Sequence, residues 1–251
     1  MIVSHRHRFV FLKTVKTAGT SVEVFLRRFC GPRDIVTQIT PIDEQTPVTA
    51  GLPPRNYARD PALERAYCDH VAAGRLDEAI ALHGKGAVFF NHMSAALLQR
   101  QLGAALLKDY FVFTIERHPY DRAISRAAFD LGMAAYQVGR ETAVTPEAVI
   151  GHIRQRLAAG GGGDFSNWGI YTIDDRVIAD AVVYYEAMQE GLEQVLKRLG
   201  LDGKADIAEA LPHLKGGIRP RRMTRAMLPQ DIKAALRAIC AREFETFGYR
   251  P

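Results

Sequence analysis

The sequence predicts an α/β fold with three layers (α/β/α) around a central, mainly parallel sheet. The first observation is a set of short, continuous apolar runs at residues 9–12, 87–90 and 110–115. The second is that segments with apolar residues at helical spacing lie between these runs. Strands that are apolar at every position are typical of parallel sheets that helices cover on both faces.

The elements can be assigned in chain order. Residues 9–12 form the first strand, and Thr20 or Ser21 can cap the next helix, whose apolar face includes Val22 and Phe25. Further helices are expected at 62–82, 94–107, 120–131, 146–159, 186–199 and 229–247. Further strands are expected at 87–90, 110–115 and 177–185.

The chain is expected to fold as a single domain over residues 1–251. It has 251 residues, of which 47% are hydrophobic, enough for one sizeable core. It shows neither an internal repeat nor a domain linker. Two segments, 31–61 and 130–168, are rich in turn-forming residues or hard to assign, and long loops of this kind are often functional.

Charge and cysteine content narrow the class of protein. The 33 Lys and Arg residues exceed the 28 Asp and Glu residues, which suits an anionic ligand but does not require nucleic acid. Three widely separated cysteines support neither a disulfide framework nor a zinc site, and we expect a reducing compartment. No segment approaches the ~20 apolar residues of a membrane span, and the apolar run at 9–12 is too short for a signal peptide. We therefore expect a cytoplasmic protein.

A polar loop follows the first strand and reads KTVKTAGTS at residues 13–21. A loop between a parallel strand and a helix presents backbone N–H groups to phosphate. Gly19 permits close backbone approach, Thr17, Thr20 and Ser21 can donate hydrogen bonds, and Lys16 can reach the bound group. Because the lysine precedes the glycine, the loop is not a Walker A motif. A plain helix cap remains the structural alternative.

A second polar segment follows the strongest strand and reads RHPYDRAIS at residues 117–125. Arg117 leaves the strand end, and Ser125 lies roughly two turns into the next helix, so that the two could hold a second phosphate. An exposed Arg117 paired with Asp121 or Glu116 is the alternative. Since the carboxyl ends of parallel strands line one edge of a sheet, the two loops predict a ligand with two phosphate-like groups.

These two segments resemble motifs of the sulfotransferases that use 3′-phosphoadenosine 5′-phosphosulfate (PAPS). Residues 13–21 resemble the 5′-phosphosulfate loop, and residues 117–125 resemble the 3′-phosphate motif Arg-x-Pro-x-x-Arg-x-x-Ser, with His118 where aspartate or asparagine is common. The branch that contains heparan 2-O-sulfotransferases and bacterial relatives is the most similar. The segments VVYYEAMQEGLEQVLKRLGL and FETFGYRP resemble softer features of the same family.

The resemblance implies a P-loop NTPase-like sulfotransferase fold, PAPS as sulfuryl donor, 3′-phosphoadenosine 5′-phosphate (PAP) as product, and no metal. It implies that Lys16 contacts the bridging oxygen of the sulfuryl group and that Arg117 and Ser125 bind the 3′-phosphate. It also implies that a short run binds the 5′-phosphate, comprising Thr17, Ala18, Gly19, Thr20 and Ser21. Gly217 and Arg219, in KGGIRP, are weaker candidate contacts with the nucleotide or parts of a solvated linker.

Transfer to a hydroxyl requires a base, and His92 is the candidate. It follows the apolar run 87–90 in FFNHMS, at the same predicted sheet edge as the two loops, and histidine titrates near neutral pH. The family resemblance supports this choice, while a packing or capping role is the alternative. Other candidates rank lower: the histidines His70, His83, His118, His152 and His213, and the carboxylates Glu23 and Glu116.

The acceptor is expected to be a hydroxyl-bearing molecule, either a carbohydrate or a small metabolite. Its cleft is expected to come from the segments 31–61 and 130–168, where Trp168 either lines the cleft, stacks on adenine or packs in the core. Three other functions compete: a nucleotide-binding module without turnover, a P-loop kinase-like phosphotransferase, and nucleic-acid binding through RPRRMTR at 219–225. The residues leave the oligomeric state undetermined.

Overall fold

A computed structural model describes residues 1–137, 144–205, 207, 219–220 and 222–250. The chain divides into two compact units. The first unit contains Met1–Thr14, Ala18–Ile115 and Gly169–Leu214. The second unit contains Val15–Thr17, Glu116–Trp168 and Lys215–Pro251.

The first unit contains a five-stranded sheet and a small hairpin. The strands are β1 (Ile2–Ser4), β2 (Phe9–Leu12), β3 (Ile35–Val36), β4 (Phe111–Glu116), β5 (Thr172–Ile173), β6 (Arg176–Val177) and β7 (Ala181–Tyr184). The large sheet has the order β3-β1-β2-β4-β7, and β5 pairs with β6. The α/β class predicted from the sequence is confirmed.

The sheet is mixed, whereas the sequence led us to expect a mainly parallel one. Strand β1 runs antiparallel to both β2 and β3, while β2 runs parallel to β4. The reason is the short turn between Ser4 and Phe9, in which Arg8 has φ 53°. So short a connection can join only antiparallel strands, because a parallel pair needs a long crossover.

The strand expected at 87–90 is not formed, and this prediction was wrong. In the described chain these residues contribute one isolated bridge, from Ala87 to Ala58. The preceding Gly84 and Gly86 have φ values of 76° and 65°, so that the backbone turns before a strand can begin. Phe90 is 44% exposed, which shows that this apolar run does not enter the core.

Among the described residues, the helices follow the predicted segments with three interruptions, apart from two that were not predicted, Pro41–Thr49 and Trp168–Tyr171. The helices are α1 (Gly19–Leu26), α2 (Pro41–Thr49), α3 (Pro61–Ala72), α4 (Leu76–Leu82), α5 (Ala95–Leu102), α6 (Ala104–Asp109), α7 (Pro119–Gln137), α8 (Pro146–Ala158), α9 (Trp168–Tyr171), α10 (Met188–Arg198), α11 (Gln230–Ile239) and α12 (Ala241–Phe247). Gly74 and Gly103, with φ values of 69° and 83°, divide two predicted helices, and Cys240 divides the last one. The segment 31–61, predicted as loop, contains β3 and α2.

The core of the first unit fixes the positions of β2 and β4. Phe11 and Phe113 stack with ring centroids 5.1 Å apart, and Phe25 of α1 and Leu192 of α10 belong to the same cluster. On the alternate positions of the two strands, Val10 and Val112 are also fully buried. Burial of both faces accounts for the continuous apolar runs in the sequence.

The second unit has its own core, formed by α7, α8, α11 and α12. Ile124 of α7, Ile153 of α8, Leu236 of α11 and Phe244 of α12 belong to one buried cluster. Of the helices in the described part of the chain, none combines the length and the apolarity that a bilayer crossing requires.

Candidate functional site

The carboxyl ends of β2 and β4 lie at the same edge of the sheet, as the sequence predicted. Leu12 is in register with Thr114, and the Thr114 hydroxyl donates to the Leu12 carbonyl over 2.7 Å. The Thr14 hydroxyl donates in turn to the carbonyl of Ile115. Within the first unit, these two bonds hold the carboxyl ends of β2 and β4 side by side.

The loop 13–18 contains two non-glycine residues in the left-handed conformation. Lys16 has φ 62° and Ala18 has φ 60°. This conformation is rare for residues with a side chain, and strained backbone of this kind occurs most often at functional sites. Left-handed residues in a turn direct successive N–H groups to one side, an arrangement that binds anions.

Helix α1 begins at Gly19, earlier than the cap expected at Thr20 or Ser21. Its N-cap is Ala18, which has no side-chain oxygen and therefore makes no cap hydrogen bond. The described first turn of α1 carries no carboxylate. Thr20 and Ser21 consequently lie within the first turn, where N–H groups and the helix dipole favour an anion.

Arg117 lies in the second unit and contacts the loop that contains Lys16. Its side chain is nearly buried, with 9% of the residue exposed, and its Nη1 donates to the carbonyl oxygen of Lys16 over 3.3 Å. The Nζ of Lys16 lies 4.0 Å from the centroid of the Phe129 ring, a cation–π contact with α7. Ser125 lies half-buried on the same helix. Within the second unit, Lys16 of the first motif and Arg117 of the second are thus in direct contact.

Two further residues of the 117–125 motif have structural roles. The backbone N–H of Tyr120 donates to His118 Nδ1 over 3.2 Å, so that Nε2 carries the proton and donates to the carbonyl of Arg250 over 2.8 Å. His118 therefore caps α7, as an aspartate or asparagine would. Arg122 is buried in ion pairs with Glu116 and with Glu243, and it also donates to the carbonyl of Phe165.

Asn167 is a residue that the sequence did not point to. Its carboxamide is buried and bonds the backbone of Val15, the residue before Lys16. Ion-paired Glu243 accepts a hydrogen bond from the Asn167 N–H over 3.1 Å. The neighbouring Trp168, which the sequence singled out, lies half-buried with its ring centroid 6.5 Å from that of Phe247.

His92 lies in the first unit and has an assignable tautomer. Its Nδ1 lies 3.0 Å from the carbonyl oxygen of Lys13, and because a carbonyl can only accept, Nδ1 carries the proton. Burial, and then the charge of Lys13, lower the pKa of His92 to about 3. At neutral pH the ring is therefore neutral, and Nε2 has a lone pair that can accept a proton.

The other candidate bases have other roles or other environments. Burial alone would raise the pKa of Glu23, but Lys13, the Met1 amino group and Arg27 together lower it to about 2. Glu116 is paired with Arg122. The remaining histidines include His70, which contacts Arg75, His83, whose pKa burial lowers, His152, which lies near Asp130, and His213, which falls outside the described residues.

The late basic segment is described only in part. Gly217 lies outside the described residues. Arg219 donates to Asp121 Oδ1 and to the carbonyl of Met223, both over 2.8 Å. Arg225 also pairs with Asp121, at 3.4 Å. In the second unit, these contacts place Arg219 beside the first turn of α7.

The structure thus assembles two groups of candidate residues: Lys16, Arg117 and Asn167 in the second unit, and Lys13, Gly19 and His92 in the first. Within the described ranges, no group of three or more His, Cys, Asp or Glu side chains is placed to hold a metal ion. Comparisons of the chain with models of protein families, with curated proteins and with solved structures found no match.

Proposed function

We propose that this protein transfers a sulfuryl group from PAPS to a hydroxyl of a carbohydrate or a small metabolite. The hydrogen bond from Arg117 to the carbonyl of Lys16 carries the proposal, because it joins the two loops that resemble the donor motifs. A ligand with separate 5′ and 3′ phosphates requires both loops at once. We propose for the chain the P-loop-like architecture that this donor implies.

The donor phosphates would be bound by backbone and by cationic side chains. The N–H groups of the loop and of the first turn of α1 would hold the 5′-phosphate, assisted by Thr17, Thr20 and Ser21. Arg117 and Ser125 would hold the 3′-phosphate. Arg219 would contribute less positive charge to the binding of the ligand, because its guanidinium already donates a hydrogen bond to the carboxylate of Asp121.

Lys16 would stabilise charge on the leaving group. Its present contact with Phe129 is worth ~0.5–2 kcal/mol, which a phosphate oxygen can outweigh in a site that excludes water. A preorganised cation at a developing anion lowers the barrier by several kcal/mol in comparable cases. No metal ion is part of this proposal.

The transfer itself is a displacement at sulfur. The acceptor oxygen forms a bond to the sulfuryl sulfur, the bond from sulfur to the 5′-phosphate oxygen breaks, and PAP departs with that electron pair. The acceptor proton passes to Nε2 of His92. A base in this role contributes ~10²–10⁴-fold to the rate when its pKa lies near the working pH, so this role requires the phosphates of the bound donor to raise the pKa of His92 from about 3.

The test is a calorimetric titration with PAP, AMP, ADP and magnesium ATP. The proposal expects tight binding of PAP and at least ten-fold weaker binding of AMP, which lacks the 3′-phosphate. Preference for magnesium ATP would overturn the proposal in favour of a kinase-like phosphotransferase. PAP binding without release of PAP from PAPS, in the presence of a broad set of hydroxyl acceptors, would indicate a binding module without turnover.

A further inference from the structure

Lys13 is a buried lysine enclosed by helix α1, and the function proposed above gives it no role. It follows β2 directly, and only 1% of it is exposed. A Cβ placed on Gly19 would lie 2.8 Å from Lys13 Cγ and 3.3 Å from Cε, so the lysine stem lies directly against the start of the helix. Its Nζ lies 2.9 Å from Glu23 Oε2, one turn further along α1.

Glu23 provides a fixed anchor for this lysine. Its carboxylate is fully buried and also contacts Arg27 at 3.2 Å and the amino group of Met1 at 2.9 Å. Burial lowers the pKa of the Met1 amino group to about 5, but Lys13 and Arg27 keep the Glu23 carboxylate ionised. The side chain of Lys13 is therefore restrained along its length, by Gly19 near its middle and by Glu23 at its end.

The backbone of Lys13 carries a second contact, to His92. The carbonyl oxygen of Lys13 accepts the Nδ1 proton of His92 over 3.0 Å. His92 itself has φ 61°, a left-handed conformation that is rare for residues with a side chain. One residue is thus bonded to the imidazole through its backbone and to α1 through its side chain.

We propose that Lys13 is a positioning residue, which holds His92 as the neutral Nδ1-protonated tautomer and so keeps Nε2 open to accept a proton. The inference rests on the proposed function only in naming His92 as the base. Lys13 touches neither the donor nor the acceptor in this scheme; it acts through the histidine.

The charges around His92 determine the direction in which its pKa is shifted. Burial lowers the pKa of His92 most, and the ammonium of Lys13 and then the amino group of Met1 lower it further, whereas the hydrogen bond to the Lys13 carbonyl and the charge of Glu23 raise it. A Lys13→Met variant removes one cation but keeps the backbone carbonyl. It should therefore raise the pKa of His92 while the tautomer survives, a result that a purely structural lysine would not produce.

The experiment is a pH titration of the histidine side chains by ¹⁵N NMR, without any nucleotide. In the unchanged protein, His92 should show one tautomer, with Nδ1 protonated, and no titration between pH 5 and pH 8. In Lys13→Met its midpoint should move upward by roughly one pH unit or more, since a nearby charge has an effect of this size. His83, whose lowered pKa does not involve Lys13, is the internal control and should not move.

A second variant provides an independent test in case Lys13→Met does not fold. Gly19→Ala keeps the lysine charge but forces its stem to move, and it should weaken the Nδ1 hydrogen bond, seen as faster exchange of that proton. An ordinary titration of His92 near pH 6.5 in the unchanged protein would overturn the inference. So would an unchanged midpoint in Lys13→Met together with unchanged proton exchange in Gly19→Ala. Failure of PAP to bind would overturn the proposed function and leave these NMR outcomes intact.

Discussion

The side chain of Asn167 bonds both backbone polar groups of Val15. Its Oδ1 accepts from the Val15 N–H over 3.0 Å, and its Nδ2 donates to the Val15 carbonyl over 3.1 Å. Asn167 is 1% exposed, and its own N–H is bonded to Glu243. Since Val15 immediately precedes Lys16, this pair of bonds holds the start of the candidate phosphate loop in place within the second unit.

The first prediction concerns this two-point contact. Asn167→Ala removes both hydrogen bonds, each worth ~1 kcal/mol, so that a PAP ligand must order the loop itself. We expect the Kd for PAP to rise by about ten-fold in calorimetry. The matched variant Asn167→Asp keeps an acceptor for the Val15 N–H but loses the donor, and it should also weaken binding. An unchanged Kd in both variants would show that the loop is held without Asn167.

Some of this site could be predicted from the sequence. The continuous apolar runs of β2 and β4 required burial on both faces, and parallel pairing placed the loops that follow them at one edge. Lys16 and Arg117 can be identified because each lies in the segment that follows such a run. Local sequence patterns of this kind are sufficient to predict a feature whose residues are close together in the sequence.

Other features depend on contacts that no local pattern encodes. Asn167 meets Val15 across 152 positions of sequence, and only the fold brings the two together. The run at 87–90 illustrates the opposite error, because a short apolar segment cannot be distinguished from a strand by its pattern alone. His92 was selected for following a strand that does not form, yet the left-handed turn around it still presents its ring to the Lys13 carbonyl.

The second prediction concerns the buried ion pairs of Arg122. Arg122→Met would leave Glu116 and Glu243 without this partner in a buried site, and breaking such a pair costs ~3–5 kcal/mol. We expect a loss of this size in the free energy of unfolding measured with urea. Arg126→Met is the control, since Arg126 is partly exposed and its ion pair with Asp130 is worth ~0.5 kcal/mol or less. Equal losses in the two variants would contradict the structural role assigned to Arg122.

The third prediction uses the lowered pKa of His92. In the unfolded chain this histidine titrates near ~6.5, whereas in the folded protein it titrates at about 3. Below pH 6.5 the unfolded chain therefore binds a proton that the folded chain does not, and stability falls as the pH falls towards 3. Between pH 6 and pH 4 the unchanged protein should lose up to ~1.4 kcal/mol per pH unit more than His92→Gln. Parallel curves for the two proteins would show that His92 titrates normally in the fold.

The same substitution tests the base. His92→Gln should reduce the turnover of PAPS by ~10²–10⁴-fold, because it removes the proton acceptor, while the Kd for PAP stays within about two-fold. The kcat/KM of the unchanged protein should persist below pH 6, since this ratio reports the free enzyme, in which the ring remains neutral there. Turnover that survives in His92→Gln would assign the proton to another acceptor, and a matched loss of PAP binding would mean that His92 holds the donor.

The last prediction separates the two phosphate sites. Arg117→Ala removes the guanidinium proposed for the 3′-phosphate, and hydrogen bonds to charged groups are worth ~1.5–3 kcal/mol, which corresponds to about 10–150-fold in Kd for PAP. Binding of AMP, which lacks that phosphate, should change much less, apart from the loss of the bond to the Lys16 carbonyl. Arg154→Ala, at an exposed ion pair with Asp231 in the same unit, controls for net charge. If PAP and AMP weaken by the same factor, then Arg117 supports the loop rather than the 3′-phosphate, and the second phosphate site must be sought elsewhere on α7.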